Sequence, residues 1–220
     1  MKNASNPFFS VIIPCYNVAE SVYPTFKCLT RQSFKDFEVI FINDGSIDST
    51  QDLLESFSLS QKIVIIKQYN KGLGAARNVG IKASSGKFIS LLDADDIWEA
   101  NKLKMVHDYL QEHNCEVVCH NEYVVNESHK ILKKNYYGPY TKYGDLFFKN
   151  NCLSPSAVTI KRNVIDSVGF FTENLQMHGV EDYDMWLRIA LANVNIKYMP
   201  EFLGLYVIHS NNISRKYDFF

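Results

Sequence analysis

Three carboxylates crowd the stretch SLLDADDIW. Asp93, Asp95 and Asp96 fall within four positions, directly after an apolar run. Like charges ~4 Å apart repel by about 1 kcal/mol in water and about 4 kcal/mol near a protein surface. Either these acids cap a turn and a helix, or a cation belongs among them. Carboxylate oxygens suit Mg²⁺ or Mn²⁺, ions that bind through one or two carboxylates and complete their shell with substrate phosphates. Asp93 and Asp95 fit that chemistry. Asp96 reads better as a helix N-cap, because DADDIWEANK leads into a helical stretch.

The elements that must position these acids come from periodicity. FFSVIIP, FEVIFIN, KIVIIKQ and KFISLLD are short, β-branched apolar runs and predict four buried strands. Helical stretches follow each: Ala19 to Arg31 (with Pro24 in its first turn), SIDSTQDLLESF, GLGAARNVGIKAS and EANKLKMVHDYLQEH. Four strand–helix alternations predict a parallel α/β unit with right-handed crossovers over roughly residues 1–115. Ligands of such sheets bind beyond the carboxyl ends of the strands. Pro14, Tyr16 and Asn17 follow the first strand, Asn43, Asp44 and Ser46 the second, and the acidic triplet the fourth. A carboxylate at Asp44 can accept hydrogen bonds from a base or ribose, and Tyr16 can stack on a flat ring. Taken alone, NDGSIDST is also an ordinary turn and helix cap; three polar strand ends together favour a site. GLGAARN lacks the third glycine of a dinucleotide fingerprint and follows the wrong strand. Its Arg77 reads as a fixed cation near phosphates, or as an exposed helix arginine.

The second half, about 116–220, is less regular. EVVCHNEYVV, PSAVTIK, NIKYMP and FLGLYVIH predict strands, and VEDYDMWLRIALAN an amphipathic helix with Met185, Ile189 and Ala192 near one face. Lys130, Lys133, Lys134, Tyr136, Tyr137 and Tyr140 form a basic-aromatic stretch, suited to a sugar acceptor or a lipid headgroup surface, or to a solvated loop. One domain of two halves is expected, the first binding a nucleotide and the second completing the site. With 46% hydrophobic and 21% charged residues, the composition is that of a soluble globular chain. A net charge of −1 gives no field favouring nucleic acid. Five cysteines, odd in number and without a CxxC pair, suit a reducing cytosol, and Cys115 and Cys119 read as core thiols. The N-terminus does not resemble a signal peptide, and no run of ~18 apolar residues is present.

SVIIPCYN, FEVIFINDGSIDST, NKGLGAARNVGIKASSGKFISLLDADD and GVEDYDMWLRIA together resemble, in order and spacing, the family 2 glycosyltransferases of the GT-A fold. The resemblance runs from Phe9 to about Ser214. It implies an α/β fold with a mostly parallel central sheet flanked by helices. It also implies transfer of a sugar from a UDP-sugar to a glycan acceptor, with inversion, in bacterial surface polysaccharide synthesis. By that resemblance Asp44 binds uracil beside Pro14 and Tyr16, Asp93 touches ribose or the ion's shell, and Arg77 sits near the nucleotide. Asp95 becomes the direct ligand of Mn²⁺ or Mg²⁺, and His209 a second ligand or a phosphate contact. Asp182 becomes the general base, with Glu181 orienting it. The same acids also suit a plain helix first turn, where the dipole favours negative charge. The resemblance further implies a lipid-linked acceptor and a cytoplasmic enzyme with a peripheral contact at the inner face of the membrane. Competing readings are a catalytically inactive nucleotide-sugar binder and a sugar nucleotidyltransferase. The latter would carry a glycine-rich basic loop after the first strand, where this chain has PCYNVAES.

Overall fold

The computed structural model describes residues 6–139, 143–149, 153–210 and 212. Tyr140, Cys152 and the end of the resemblance near Ser214 lie outside the described residues. In chain order the elements are β1 (Phe9–Cys15), α1 (Val22–Thr30), β2 (Phe37–Asp44), α2 (Thr50–Glu55), β3 (Ile63–Gln68), α3 (Leu73–Ala83), β4 (Phe88–Leu91) and β5 (Ile97–Trp98). There follow α4 (Lys102–His113), β6 (Val117–Asn126), β7 (Ile131–Asn135), α5 (Tyr143–Lys149), β8 (Val158–Lys161), α6 (Arg162–Val168), α7 (Glu181–Leu191) and β9 (Ile196–Ile208).

All described strands join one sheet in the order β3-β2-β1-β4-β8-β6-β9-β5, with β7 paired to β6. β3, β2, β1 and β4 are parallel, as the alternating pattern requires. β8 enters antiparallel between β4 and β6, and β6 and β9 run parallel to each other. The sheet therefore passes without a break from the first half of the chain into the second.

Both faces are covered, which is why the central strands carry apolar side chains on both faces rather than on one. Val11, Ile13, Val39 and Phe41 face one layer with Phe26, Leu29, Leu103 and Val106 of α1 and α4. Ile12, Ile40 and Ile42 face the other with Ala76, Ile81, Ile165, Met185 and Trp186 of α3, α6 and α7. Gly80 lets α3 close on the sheet, since a Cβ there would lie 2.6 Å from Ile12 and Ile42. Cys15, Cys28, Cys115 and Cys119 are buried thiols, as read for Cys115 and Cys119, and burial pushes the thiols of Cys15 and Cys28 up.

Several local expectations change. β1 continues through Pro14 to Cys15 instead of stopping at the proline. NIKYMP and FLGLYVIH form one strand, β9, rather than two. The register against β6 jumps from His120↔Met199 to Asn121↔Phe202, so Pro200 and Glu201 bulge out. Proline has no N–H to give a ladder, and the bulge absorbs it while the strand continues. In PSAVTIK the first residues form a 3₁₀ turn, Pro155–Ala157, and only Val158–Lys161 is strand. Met185 and Ile189 are buried as expected, but Ala192 lies beyond the end of α7 and is exposed. Asp96 caps no helix: α4 begins at Lys102 after Asn101, with β5 in between.

Candidate active site

Four segments converge beyond the carboxyl ends of β1, β2 and β4. The first two are laced together. The Asn17 backbone N–H donates to Ser46 Oγ (3.0 Å), and the Ile47 N–H donates to Asn17 Oδ1 (2.9 Å). Pro14 is buried within β1, and Tyr16 presents a half-exposed ring just past it.

Asp44, at the end of β2, is 3% exposed and already engaged. Its Oδ1 accepts from Gln68 Nε2 (2.6 Å) and the Lys71 N–H (3.0 Å), and its Oδ2 from the Gly72 N–H (2.9 Å). Each carboxylate oxygen has two lone pairs, so Oδ2 keeps one for an outside donor. The bonds also explain the turn into α3. Gly72 sits at φ +87°, a left-handed conformation natural to glycine, and Asp44 fastens it. Gln68, at the end of β3, is a site residue that periodicity did not single out.

Arg77 is 1% exposed, not an exposed helix arginine. Its Nη2 donates to Asp93 Oδ1 (2.9 Å) and its Nη1 to Glu181 Oε1 (2.8 Å). Burial alone would favour loss of its proton, but Asp93, Glu181 and Asp182 hold it charged. The guanidinium therefore joins the fourth strand end to the start of α7, 104 residues away. Burial raises the Asp93 carboxyl above the usual carboxylate range; Arg77 opposes the rise and Asp95 adds to it.

Asp95 faces His209, whose Nε2 donates to Asp95 Oδ2 across 2.7 Å. Asn212 Nδ2 lies 3.4 Å from the same oxygen, and Asn212 Oδ1 accepts from the His209 N–H (2.6 Å). Both side chains of the Asp95–His209 pair keep about a fifth to a quarter of their surface open. No cluster of three or more His, Cys, Asp or Glu side chains suited to a metal occurs among the described residues.

On α7, Glu181 is 3% and Asp182 8% exposed. Glu181 Oε2 also accepts from the Gly179 N–H (2.7 Å), so both of its oxygens are held. Asp182 Oδ1 accepts from the Tyr183 N–H (2.8 Å). Lys71, Asn174, Leu175 and His178 line a small cleft against Glu181 at the entrance to α3, residues that sequence reading passed over.

The basic-aromatic stretch divides. Lys133, Lys134 and Tyr136 are exposed on or beside β7, with Lys134 over the Phe202 ring (5.3 Å). Tyr137 turns inward instead, and its hydroxyl donates to Glu122 Oε2 (2.9 Å). Its hydroxyl is committed to β6 rather than to an outside surface. No described helix is long and apolar enough to cross a membrane.

The family model of glycosyl transferase family 2 matches residues 10–169. The chain belongs to that family. Over 84% of its length it is 33% identical to an uncharacterized glycosyltransferase of Rickettsia bellii, of which it spans 26%. Over the same share it is 29% identical to UDP-Glc:alpha-D-GlcNAc-diphosphoundecaprenol beta-1,3-glucosyltransferase WfgD of Escherichia coli, of which it spans 70%. Among solved structures, S. aureus TarS 1–349 in complex with UDP superposes with a TM-score of 0.77 at 23% identity, over 91% of this chain and 60% of that one. The mannosyltransferase PcManGT of Pyrobaculum calidifontis, in complex with GDP-Man and Mn²⁺, superposes with a TM-score of 0.72 at 16% identity, over 97% and 60%. At those identities the likeness is one of fold, and the fold is the GT-A type.

Proposed function

We propose that this family 2 chain is an inverting glycosyltransferase that moves a sugar from a UDP-sugar to a glycan acceptor in bacterial surface polysaccharide synthesis. One observation carries the reading. Arg77 ties Asp93, at the strand end on the proposed nucleotide side, to Glu181, and the neighbouring Asp182 of α7 lies within electrostatic reach of the same guanidinium. In the reaction the acceptor hydroxyl oxygen attacks the anomeric carbon while the bond from that carbon to the UDP oxygen breaks. Asp182 takes the hydroxyl proton, and Glu181, with both oxygens held, fixes the start of the helix. Asp44 Oδ2 accepts from the uracil N–H, Pro14 and Tyr16 border the base, and Asp93 meets the ribose.

The residues present suit a divalent ion. Asp95 and His209 bring one carboxylate oxygen and one imidazole nitrogen 2.7 Å apart at a partly open rim. Two protein ligands plus phosphate oxygens make a usual Mg²⁺ or Mn²⁺ shell. A bound ion would supply positive charge to the leaving diphosphate. Without it, Asp93 and Asp95 oppose a diphosphate.

The acceptor reading is a lipid-linked glycan, by similarity to the substrate in WfgD's name. The chain then works as one domain at the cytoplasmic face of the membrane, with residues 1–115 on the donor side and 116–220 on the acceptor side.

The test offers a panel of UDP-hexoses and UDP-N-acetylhexosamines with Mn²⁺ or with EDTA. Acceptors with a sugar on polyprenyl diphosphate follow, and the product anomer is read by NMR. Metal-dependent transfer with an inverted anomer is the expected result. UDP binding with no transfer to any acceptor would leave a binding protein instead.

A further inference from the structure

Asp96 caps nothing, yet it is 2% exposed and both its oxygens are held by distant segments. Oδ2 accepts from Ser156 Oγ (2.6 Å), and Oδ1 from the Val207 N–H (3.1 Å), 111 residues along the chain. Ser156 Oγ in turn accepts from the Asp93 N–H (3.1 Å). The Asp96 backbone is fixed from the other side, because Thr25 Oγ1 lies 2.8 Å from its carbonyl oxygen. Val207 stands two residues before His209, and its carbonyl accepts from Asn212 Nδ2 (3.2 Å).

We infer that Asp96 is a positioning residue: through Val207 it locks the end of β9 so that His209 meets Asp95, and through Ser156 it sets the backbone of Asp93. The two members of the Asp95–His209 pair come from segments 114 residues apart, and Asp96 is the side chain that hydrogen-bonds β9 beside one while adjoining the other. The inference rests on the proposed donor site for its consequence, but the clamp itself is a matter of geometry.

The test compares Asp96→Ala, Asp96→Asn and Ser156→Ala with Glu38→Gln, a variant at the opposite end of β2. UDP and UMP affinities are measured with and without Mn²⁺, and amide exchange is followed over residues 206–210. Asp96→Ala loses both acceptors, so Mn²⁺-supported UDP affinity should fall by about tenfold or more, UMP affinity should fall less because only Asp93 reaches the ribose, and exchange at 206–210 should quicken. An asparagine oxygen can still accept from Val207 and its amide can donate to Ser156, so Asp96→Asn should restore most of both. Ser156→Ala should quicken exchange at 93–96 and leave 206–210 protected, a readout available even if Asp96→Ala does not fold. Wild-type exchange at 206–210 in Asp96→Ala, or equal losses for UMP and UDP, would overturn the inference. So would exchange at 206–210 in Glu38→Gln that quickens more than that of the core strands, whose exchange follows its lower stability. If wild-type protein binds UDP equally with Mn²⁺ and with EDTA, the metal reading falls, and exchange at 206–210 still decides the clamp.

Discussion

The two halves of the site are built by different means. On the proposed nucleotide side, the polar groups stand at or just past the ends of parallel strands, and their partners come from neighbouring strand ends and the turn that follows, as with Asp44, Gln68 and Gly72. On the proposed acceptor side, Glu181 and Asp182 open a helix held through one buried arginine. Local sequence order places the first group. Long-range contacts place the second. Damage to the nucleotide side should therefore weaken binding, and damage to the acceptor side should affect chemistry or folding.

The largest effect expected is chemical. Asp182→Asn keeps the acceptor for the Tyr183 N–H and nearly the same volume, so folding and UDP affinity should stay close to wild type. Transfer in a single turnover should fall about 10²–10⁴-fold, the usual contribution of a general base. Glu181→Gln should cost less in transfer. A near wild-type rate for Asp182→Asn with a dead Glu181→Gln would exchange their roles.

Next comes the joint between the halves. Arg77→Met removes the cation and leaves Asp93 and Glu181 facing each other in a buried setting. Breaking a buried ionic arrangement from one side typically costs about 3–5 kcal/mol. Urea denaturation should show a loss of that order. A loss under 1 kcal/mol would mean that the halves are joined by the sheet and core alone.

The nucleotide side offers a smaller, cleaner effect. Asp44→Ala should weaken UDP by roughly ten- to a hundredfold, from one charge-assisted hydrogen bond worth about 1.5–3 kcal/mol. The same substitution loosens Lys71 and Gly72, so UDP and inorganic diphosphate are to be compared by calorimetry. Equal losses for both would assign Asp44 to the loop rather than to the base.

This contrast also marks how far the sequence could be read. The four parallel strands, their helices and the strand-end polar residues were legible because β-branched runs and caps are local signals. The pairing of Asp95 with His209 was half visible: both residues were singled out, but nothing in their spacing says that they meet. The burial of Arg77 is not legible in a sequence, because its two carboxylate partners lie 16 and 104 residues away. An aspartate before a helical run usually caps it, so the sequence points Asp96 to that role. The two-residue strand β5, too short for any periodicity, intervenes and moves the helix start to Lys102. The bulge at Pro200 split one strand into two apparent ones for a similar reason: proline is a local stop signal that the sheet overrides.

The smallest effect lies away from the site and tests whether the nucleotide half's framework is separately acid-sensitive. Glu38, at the amino end of β2, is 1% exposed. Its Oε1 accepts from Ser10 Oγ (2.8 Å), the Ser85 N–H (2.6 Å) and Ser85 Oγ (2.9 Å), and its Oε2 meets Lys62 Nζ (3.0 Å). Burial alone would raise this carboxyl; the Ser85 N–H, Lys62 and the two hydroxyls overcome it and bring it down to about 2 from 4.5. A carboxyl whose folded value is depressed contributes stability that is present above about pH 4.5 and is lost as pH falls toward 2. At 1.36 kcal/mol per unit, the contribution is about 3 kcal/mol at most, and the exposed Lys62 lowers it. Glu38→Gln should lower stability at pH 7 by about 1–2 kcal/mol, because glutamine accepts at one oxygen only. The two proteins should then converge as the pH is brought from 5 to 2.5. Urea midpoints at several pH values measure this. A wild-type curve that stays parallel to that of Glu38→Gln throughout would show that Glu38 titrates alike in the folded and unfolded chain, and would leave the acid response to the carboxylates of the site.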